Sequence, residues 1–300
     1  MSGKNEVEKQ LAFEEFDKGI NELIQKAQYC ELYGYNLEKL SDSEEGKVIR
    51  ERLLRKFLQA NSYEIEPAKE QLLKTLKWRK TFKPLKAAFE ETHSADLEKV
   101  GLVTNQSTNV TTWNLYGAVE DRQLIFGDLE KFLRWRVALM EQGISLLDLS
   151  KENQSSMAQV HDYFNVSFLR LDPSTKAASK AAIDLFQNYY PEFLNAKFFV
   201  NVPTFMQWMF AFVKPFLSKE TVAKFHVVSN GINLASELGT WVPKNYGGKA
   251  ESLDSIKVTE FEPKDAILLS PKSATIEKPV EPEQGESTEA VDPARVSETD

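Results

Sequence analysis

The chain has 300 residues, of which 42% are hydrophobic and 27% charged, and its formal net charge is −8. That length accommodates one large domain or two smaller ones, with enough apolar material for a sizeable core. The acidic balance argues against a nucleic-acid binder, which carries a basic stripe. The single cysteine, Cys30, leaves no intramolecular disulfide and fits a reducing, cytoplasmic compartment.

The N-terminal MSGKNEVEKQ is polar and has no apolar signal core. A helix is predicted over Val7 to Gln28, where Leu11, Phe13, Phe16, Ile20, Leu23 and Ile24 recur mostly three or four apart. Ser41-Asp42-Ser43-Glu44-Glu45 reads as the start of a second helix, with acids in its first turn. That helix lines up Val48, Leu53, Leu54, Phe57 and Leu58. A third, from about Glu66 to Phe82, carries Leu72, Leu73, Leu76 and Trp78. Three such helices predict a small bundle over residues 1–98.

The pattern changes near Lys99. Strand-like runs are predicted at Val110 to Tyr116, Gln123 to Phe126, Met157 to Tyr163, Val166 to Leu169, Lys197 to Val202 and Phe225 to Val228. Helical stretches at Leu129 to Leu147 and Ser174 to Tyr189 separate several of them. This alternation predicts an α/β sheet with crossover connections over residues 99–268.

From Phe205 to Leu217 the chain is apolar except at Gln207, Lys214 and Pro215. A bilayer span needs roughly 20 apolar residues, so this short helix is expected in a core or in transient contact with a membrane surface. From Lys272 to Asp300 there are eight acidic and three basic residues, and residues 269–300 lack aromatics. A segment of that composition buries too little apolar surface to offset its ordering entropy, which predicts a disordered acidic tail.

Four blocks carry a resemblance. LRKFLQANSYEIEPAKEQLLKTLKWRK from Leu54, YYPEFLNAKFFVNVP from Tyr189, KPFLSKETVAKFHVV from Lys214 and PKNYGGK from Pro243 together resemble the CRAL-TRIO lipid-binding family over about residues 45–265. The resemblance implies an N-terminal helical bundle followed by an α/β lipid-binding domain. That domain would have a β-strand floor and a gate helix, here Met206 to Phe216, with Gly247-Gly248 near its hinge.

The chain looks closest to the fungal phosphatidylinositol-transfer branch of that family. This implies phosphatidylinositol as ligand, with Glu192, Thr221 and Lys224 at the inositol phosphate. Asn61-Ser62 stands where that branch often has basic residues. WNLYG from Trp113, FLRWRVALMEQGISLLD from Phe132 and QVHDY from Gln159 are similar to the fifth subclass of homologues in that branch, whose members resemble haem-binding proteins. The implied cofactor is haem b.

His161 and Tyr163 are two apart on a predicted strand and so share a face. Tyrosinate is one of the few protein ligands of haem iron. Tyr163 is the expected metal ligand, His161 a donor that tunes it, and Tyr116 a wall against the macrocycle. Arg134 and Arg136, just upstream, are expected to grip the propionates.

No Walker loop, G-x-S-x-G, H-E-x-x-H or G-x-G-x-x-G is present, so no enzyme is expected. Two readings compete, with a third and weaker one, an enzyme acting on a lipid or organic oxidant through the haem, behind them. One is a cytoplasmic phosphatidylinositol carrier that visits the endoplasmic reticulum or other membranes and also binds haem. The other is a dedicated haem sensor or redox protein without lipid transfer.

Overall fold

The computed structural model describes residues 4–166, 172–203 and 219–264. The expected gate helix, the Thr221 side chain and the tail at 269–300 lie outside the described residues, as does most of the strand expected at Val166 to Leu169.

The predicted first helix is two helices, α1 (Glu6–Lys18) and α2 (Ile20–Ala27). Gly19 ends the first by donating its N–H to Phe16 O and Asp17 O. α2 buries Ile20, Leu23, Ile24 and Ala27. A two-residue hairpin follows, β1 (Glu31–Leu32) against β2 (Tyr35–Asn36). The Ser43 hydroxyl then caps α3 (Glu44–Ala60) by accepting from Gly46 N at 3.0 Å. α4 (Ile65–Phe82), α5 (Pro84–Phe89) and α6 (Ala95–Val100) complete the helical part.

The main sheet has the order β3-β4-β5-β6-β7. β3 (Gly101–Gln106) runs antiparallel to β4 (Asn109–Leu115). β4, β5 (Met157–Asp162), β6 (Leu194–Val200) and β7 (Phe225–Val228) are mutually parallel. Parallel neighbours need crossovers. α7 (Arg122–Phe126) and α8 (Leu129–Ser145) lie between β4 and β5, and α9 (Pro173–Tyr189) between β5 and β6. α10 (Lys219–Lys224) leads directly into β7, and α11 (Ala235–Leu238) follows it.

The strand expected at Gln123 to Phe126 is α7 instead. The Asp121 side chain caps it by accepting from Gln123 N at 2.7 Å. A short apolar run has no periodicity with which to distinguish a strand from a buried helical turn.

The two sheet faces differ. Trp113, Val160, Phe198, Val200 and Val228 pack with Leu234, Val242 and Tyr246 from the C-terminal segment. The opposite face, toward α8, is mixed. Register sets Asn114 beside His161 and His161 beside Phe199; one step back, Gln159 lies beside Lys197 and Lys197 beside Phe225.

One continuous apolar core joins Phe16, Leu54, Phe57 and Leu72 of the bundle to Phe132, Val137, Met140, Leu185 and Phe193. Arg79 of α4 is 0% exposed at this junction. Its guanidinium bonds Glu31 at 2.7 and 2.9 Å and Glu141 of α8 at 2.5 and 3.3 Å. Tyr190 Oη also donates to Glu141, at 2.6 Å, and Gly34 N to Glu31, at 2.7 Å. Burial raises the Glu141 carboxyl pKa, and the Arg79 charge opposes that shift.

Candidate functional site

Four aromatic rings converge at the C-terminal ends of β4, β5 and β6. Tyr116 sits in the turn after β4 (Tyr116–Ala118), His161 on β5, Tyr163 just past β5 and Phe199 on β6. The Tyr116 ring is 5.2 Å from Tyr163 and 5.6 Å from His161, and Phe199 stacks on His161 at 5.6 Å and on Tyr163 at 6.5 Å. Tyr163 is held in line with the strand by its N–H, which donates to Val200 O at 2.9 Å. Gly117 lets the two loops meet: a Cβ there would lie 1.8 Å from the Phe164 carbonyl oxygen.

His161 is buried, and its pKa is well below the ordinary imidazole value. Burial is the main cause, and the charges of Lys197 and Arg136 add to it. The ring is therefore neutral. The Gln159 amide oxygen can only accept, so Nε2–H donates to it at 2.7 Å. That leaves Nδ1 to accept from the Tyr116 hydroxyl at 2.9 Å. Gln159 Nε2 continues the chain to Thr112 Oγ1 at 3.4 Å. Both imidazole nitrogens are thus engaged by Tyr116 and Gln159, and the expected direct bond from His161 to Tyr163 is not formed. Burial raises the phenol pKa of both Tyr116 and Tyr163.

Arg136 and Arg134 part company. Residues two apart on a helix point about 200° apart. Arg136 is buried at the sheet face, where it donates to Asn114 Oδ1, and its guanidinium lies 5.5 Å from the Phe186 ring. Arg134 points away. It holds Glu91 through two bonds of 2.6 and 2.5 Å and donates to Phe82 O at 2.9 Å. The expectation that both arginines reach one ligand is corrected: Arg134 is a structural tie to the loop after α5. The second cation on the cluster's face is Lys197, which the sequence reading did not single out. Burial, helped by the Arg136 charge, pushes its pKa down to about 8.

A second group gathers where β6 begins. Lys224, the last residue of α10, donates to Glu192 Oε2 at 2.5 Å. Glu192 holds a left-handed backbone at φ 56° in the turn before β6. Lys56 of α3 reaches the same turn, donating to Glu192 O at 2.8 Å and Ser155 O at 2.9 Å. Burial pushes Lys56 down to about 8, and its Nζ sits 4.5 Å from the Phe193 ring centre. Sequence reasoning missed Lys56, although it lies inside the first of the resembling blocks. At Asn61, the side chain is spent locally, on Phe57 O and Gln71 Oε1.

Among the described residues no helix is long and apolar enough to cross a membrane. Nor do three or more His, Cys, Asp or Glu residues come together as a metal site there.

A helical bundle fused to a mainly parallel sheet, with a polar and aromatic cluster at the strand ends, defines a ligand-binding α/β protein. The CRAL/TRIO domain matches residues 109–248. A phosphatidylinositol transfer protein SFH5 of Kluyveromyces lactis is 44% identical over 289 residues, covering 94% of this chain and 96% of the relative. The protein of the same name from Ajellomyces capsulatus is 42% identical over 89% of this chain, a match covering 60% of the longer relative. A crystal structure of Sfh5 superposes with a TM-score of 0.78 at 36% identity, covering 88% of this chain and 95% of that one. The chain belongs to the CRAL/TRIO family, in the group that includes these Sfh5 proteins.

Proposed function

We propose that this chain binds phosphatidylinositol and transfers it between membranes, and that its aromatic sheet face also takes haem b with Tyr163 as axial ligand. The named activity of the relatives supports the first part, together with the Glu192–Lys224 pair and the adjoining Lys56. An ion pair beside a buried lysine offers one acceptor and two cations, the set that an inositol ring and its phosphate require. Thr221, which the resemblance places beside Lys224, is part of the same proposal. The protein acts from the cytoplasm with transient contact at the endoplasmic reticulum or other membranes, and it is a carrier, not an enzyme.

The donor set of the second site supports haem. Tyr163 supplies a hard oxygen donor, Tyr116 and Phe199 supply flat walls, and Arg136 supplies a cation with no carboxylate partner among the described residues. A phenol is protonated at neutral pH, and burial followed by the neighbouring Tyr116 pushes the Tyr163 pKa higher still; a ferric ion would reverse that preference, because a bound cation favours the anionic donor. Bound haem would supply a redox-active iron with an open coordination position. The chain's own residues bind and orient it. His161, engaged on both nitrogens, fixes Tyr116 rather than ligating. The alternative of a haem sensor without lipid transfer draws on the same cluster, and it fails if lipid transfer is found.

Lys224→Ala is expected to impair phosphatidylinositol transfer between liposomes and to spare folding. The Lys224–Glu192 pair is partly exposed at 31% and 24%, and such pairs contribute little to stability. A lost charge-assisted bond to phosphate weakens binding by roughly 1.5–3 kcal/mol. Transfer at the wild-type rate would remove Lys224 from the lipid site.

A further inference from the structure

Two cations on the ligand face have no anion beside them among the described residues. Arg136 is buried and makes one side-chain hydrogen bond, to the neutral Asn114 amide. Lys197 has no hydrogen bond or ion pair to any described residue; its ammonium lies 5.5 Å from the Phe199 ring centre. Leaving cations unpaired in a poorly solvated place is costly, and folded proteins normally pair them. Elsewhere the buried cations are satisfied: Arg79 has two carboxylates, Arg50 has Asp17, Arg134 has Glu91, and Lys56 donates to two backbone carbonyls.

Lys197 is half-buried rather than enclosed, and it stands beside the buried Arg136. They stand on adjoining elements of one wall. Lys197 is registered beside Gln159 on the sheet, two residues from His161, and Arg136 reaches Asn114, which is registered beside His161.

We propose that Lys197 and Arg136 form a two-cation seat for a carboxylate of the ligand that lies against Tyr116, Tyr163 and Phe199. Lys197 takes the place that the sequence assigned to Arg134. The proposal rests on reading that face as a porphyrin site, and it sets the ligand's orientation: acid edge toward β6 and α8, metal toward Tyr163. Phosphatidylinositol, whose only anion is its phosphate at the Glu192–Lys224 end, would leave this seat empty. A porphyrin bearing propionates fills it.

The test uses the full chain as wild type, Lys197→Met, Lys197→Arg and Tyr163→Phe, each checked for an unchanged melting curve. The probes are iron-free protoporphyrin IX, its dimethyl ester and ferric haem. Lys197→Met should release protoporphyrin IX about ten- to a hundredfold faster than wild type, the loss expected for one charge-assisted bond. Lys197→Arg should restore most of that loss. The dimethyl ester, which has no carboxylate, should leave wild type and Lys197→Met at the same rate. Tyr163→Phe should hold the iron-free porphyrin as wild type does, and Lys197→Met should keep the wild-type ferric spectrum. Equal release of the diacid from wild type and Lys197→Met would overturn the seat, as would an equal loss with the ester or no porphyrin binding by wild type. A carboxylate-dependent loss alongside a ferric spectrum insensitive to Tyr163→Phe would uphold the seat and reject Tyr163 as ligand.

Discussion

Arg79→Ala is expected to destabilise the fold by about 3–5 kcal/mol, the range for removing one partner of a fully buried ion network. The arginine is 0% exposed and is held between Glu31, on hairpin strand β1, and Glu141, on α8. Without it, two buried carboxylates share one space with no cation, and the bundle loses its polar link to the sheet domain. The buried Glu141 carboxyl then favours its proton in the folded state, so its folded pKa lies above its unfolded value of about 4.3. Where the folded state binds more protons, stability falls as pH rises. The deficit of the variant should therefore be larger at pH 7 than at pH 5 in urea unfolding. A loss below about 1 kcal/mol at pH 7, or one independent of pH, would show that the network is not what couples these elements.

Tyr163→Phe is expected to abolish tight ferric haem binding, or to shift its spectrum entirely, while the protein stays folded. The substitution keeps the ring that packs against Tyr116 and Phe199 and deletes only the donor oxygen. A phenolate is a hard anionic donor that stabilises ferric iron, so wild-type haem should also resist reduction. His161→Ala should behave differently. It removes the bonds to Tyr116 and Gln159, freeing the Tyr116 ring to move, and should weaken haem roughly tenfold with a perturbed spectrum, as losses of outer-shell partners do. If Tyr163→Phe bound haem unchanged while His161→Ala lost it altogether, the imidazole would be the ligand.

The helical bundle was legible because burial there follows a simple period. Leu53, Leu54, Phe57 and Leu58 are all 0% exposed on α3. The break at Gly19 was not, since Phe16 and Ile20 keep the helical spacing across it. The run at Gln123 to Phe126 misled because four apolar-rich residues carry no decisive period, and the Asp121 cap decides for a helix. That the His161 and Tyr163 rings share a face was legible from their two-residue spacing, and both lie against Tyr116. Arg134 was wrongly joined to Arg136 because adjacency in sequence was read as adjacency in space, against the 100° step of the helix. Lys197 and Lys56 were illegible for a related reason. Each looks like an ordinary surface cation, and only register against Gln159 or the approach of α3 to the Glu192 turn turns it inward. Arg79 sits in the charged string Lys77-Trp78-Arg79-Lys80, where nothing local separates the buried arginine from its exposed neighbours.

The absorption spectrum of the full chain, purified and then titrated with ferric haem, tests the central claim most directly. The account predicts a Soret band that saturates near one haem per chain, with a ferric tyrosinate signature that persists under mild reductant. A colourless protein that gains no Soret band on haem addition, yet yields extractable phosphatidylinositol, would contradict it and leave the lipid carrier alone.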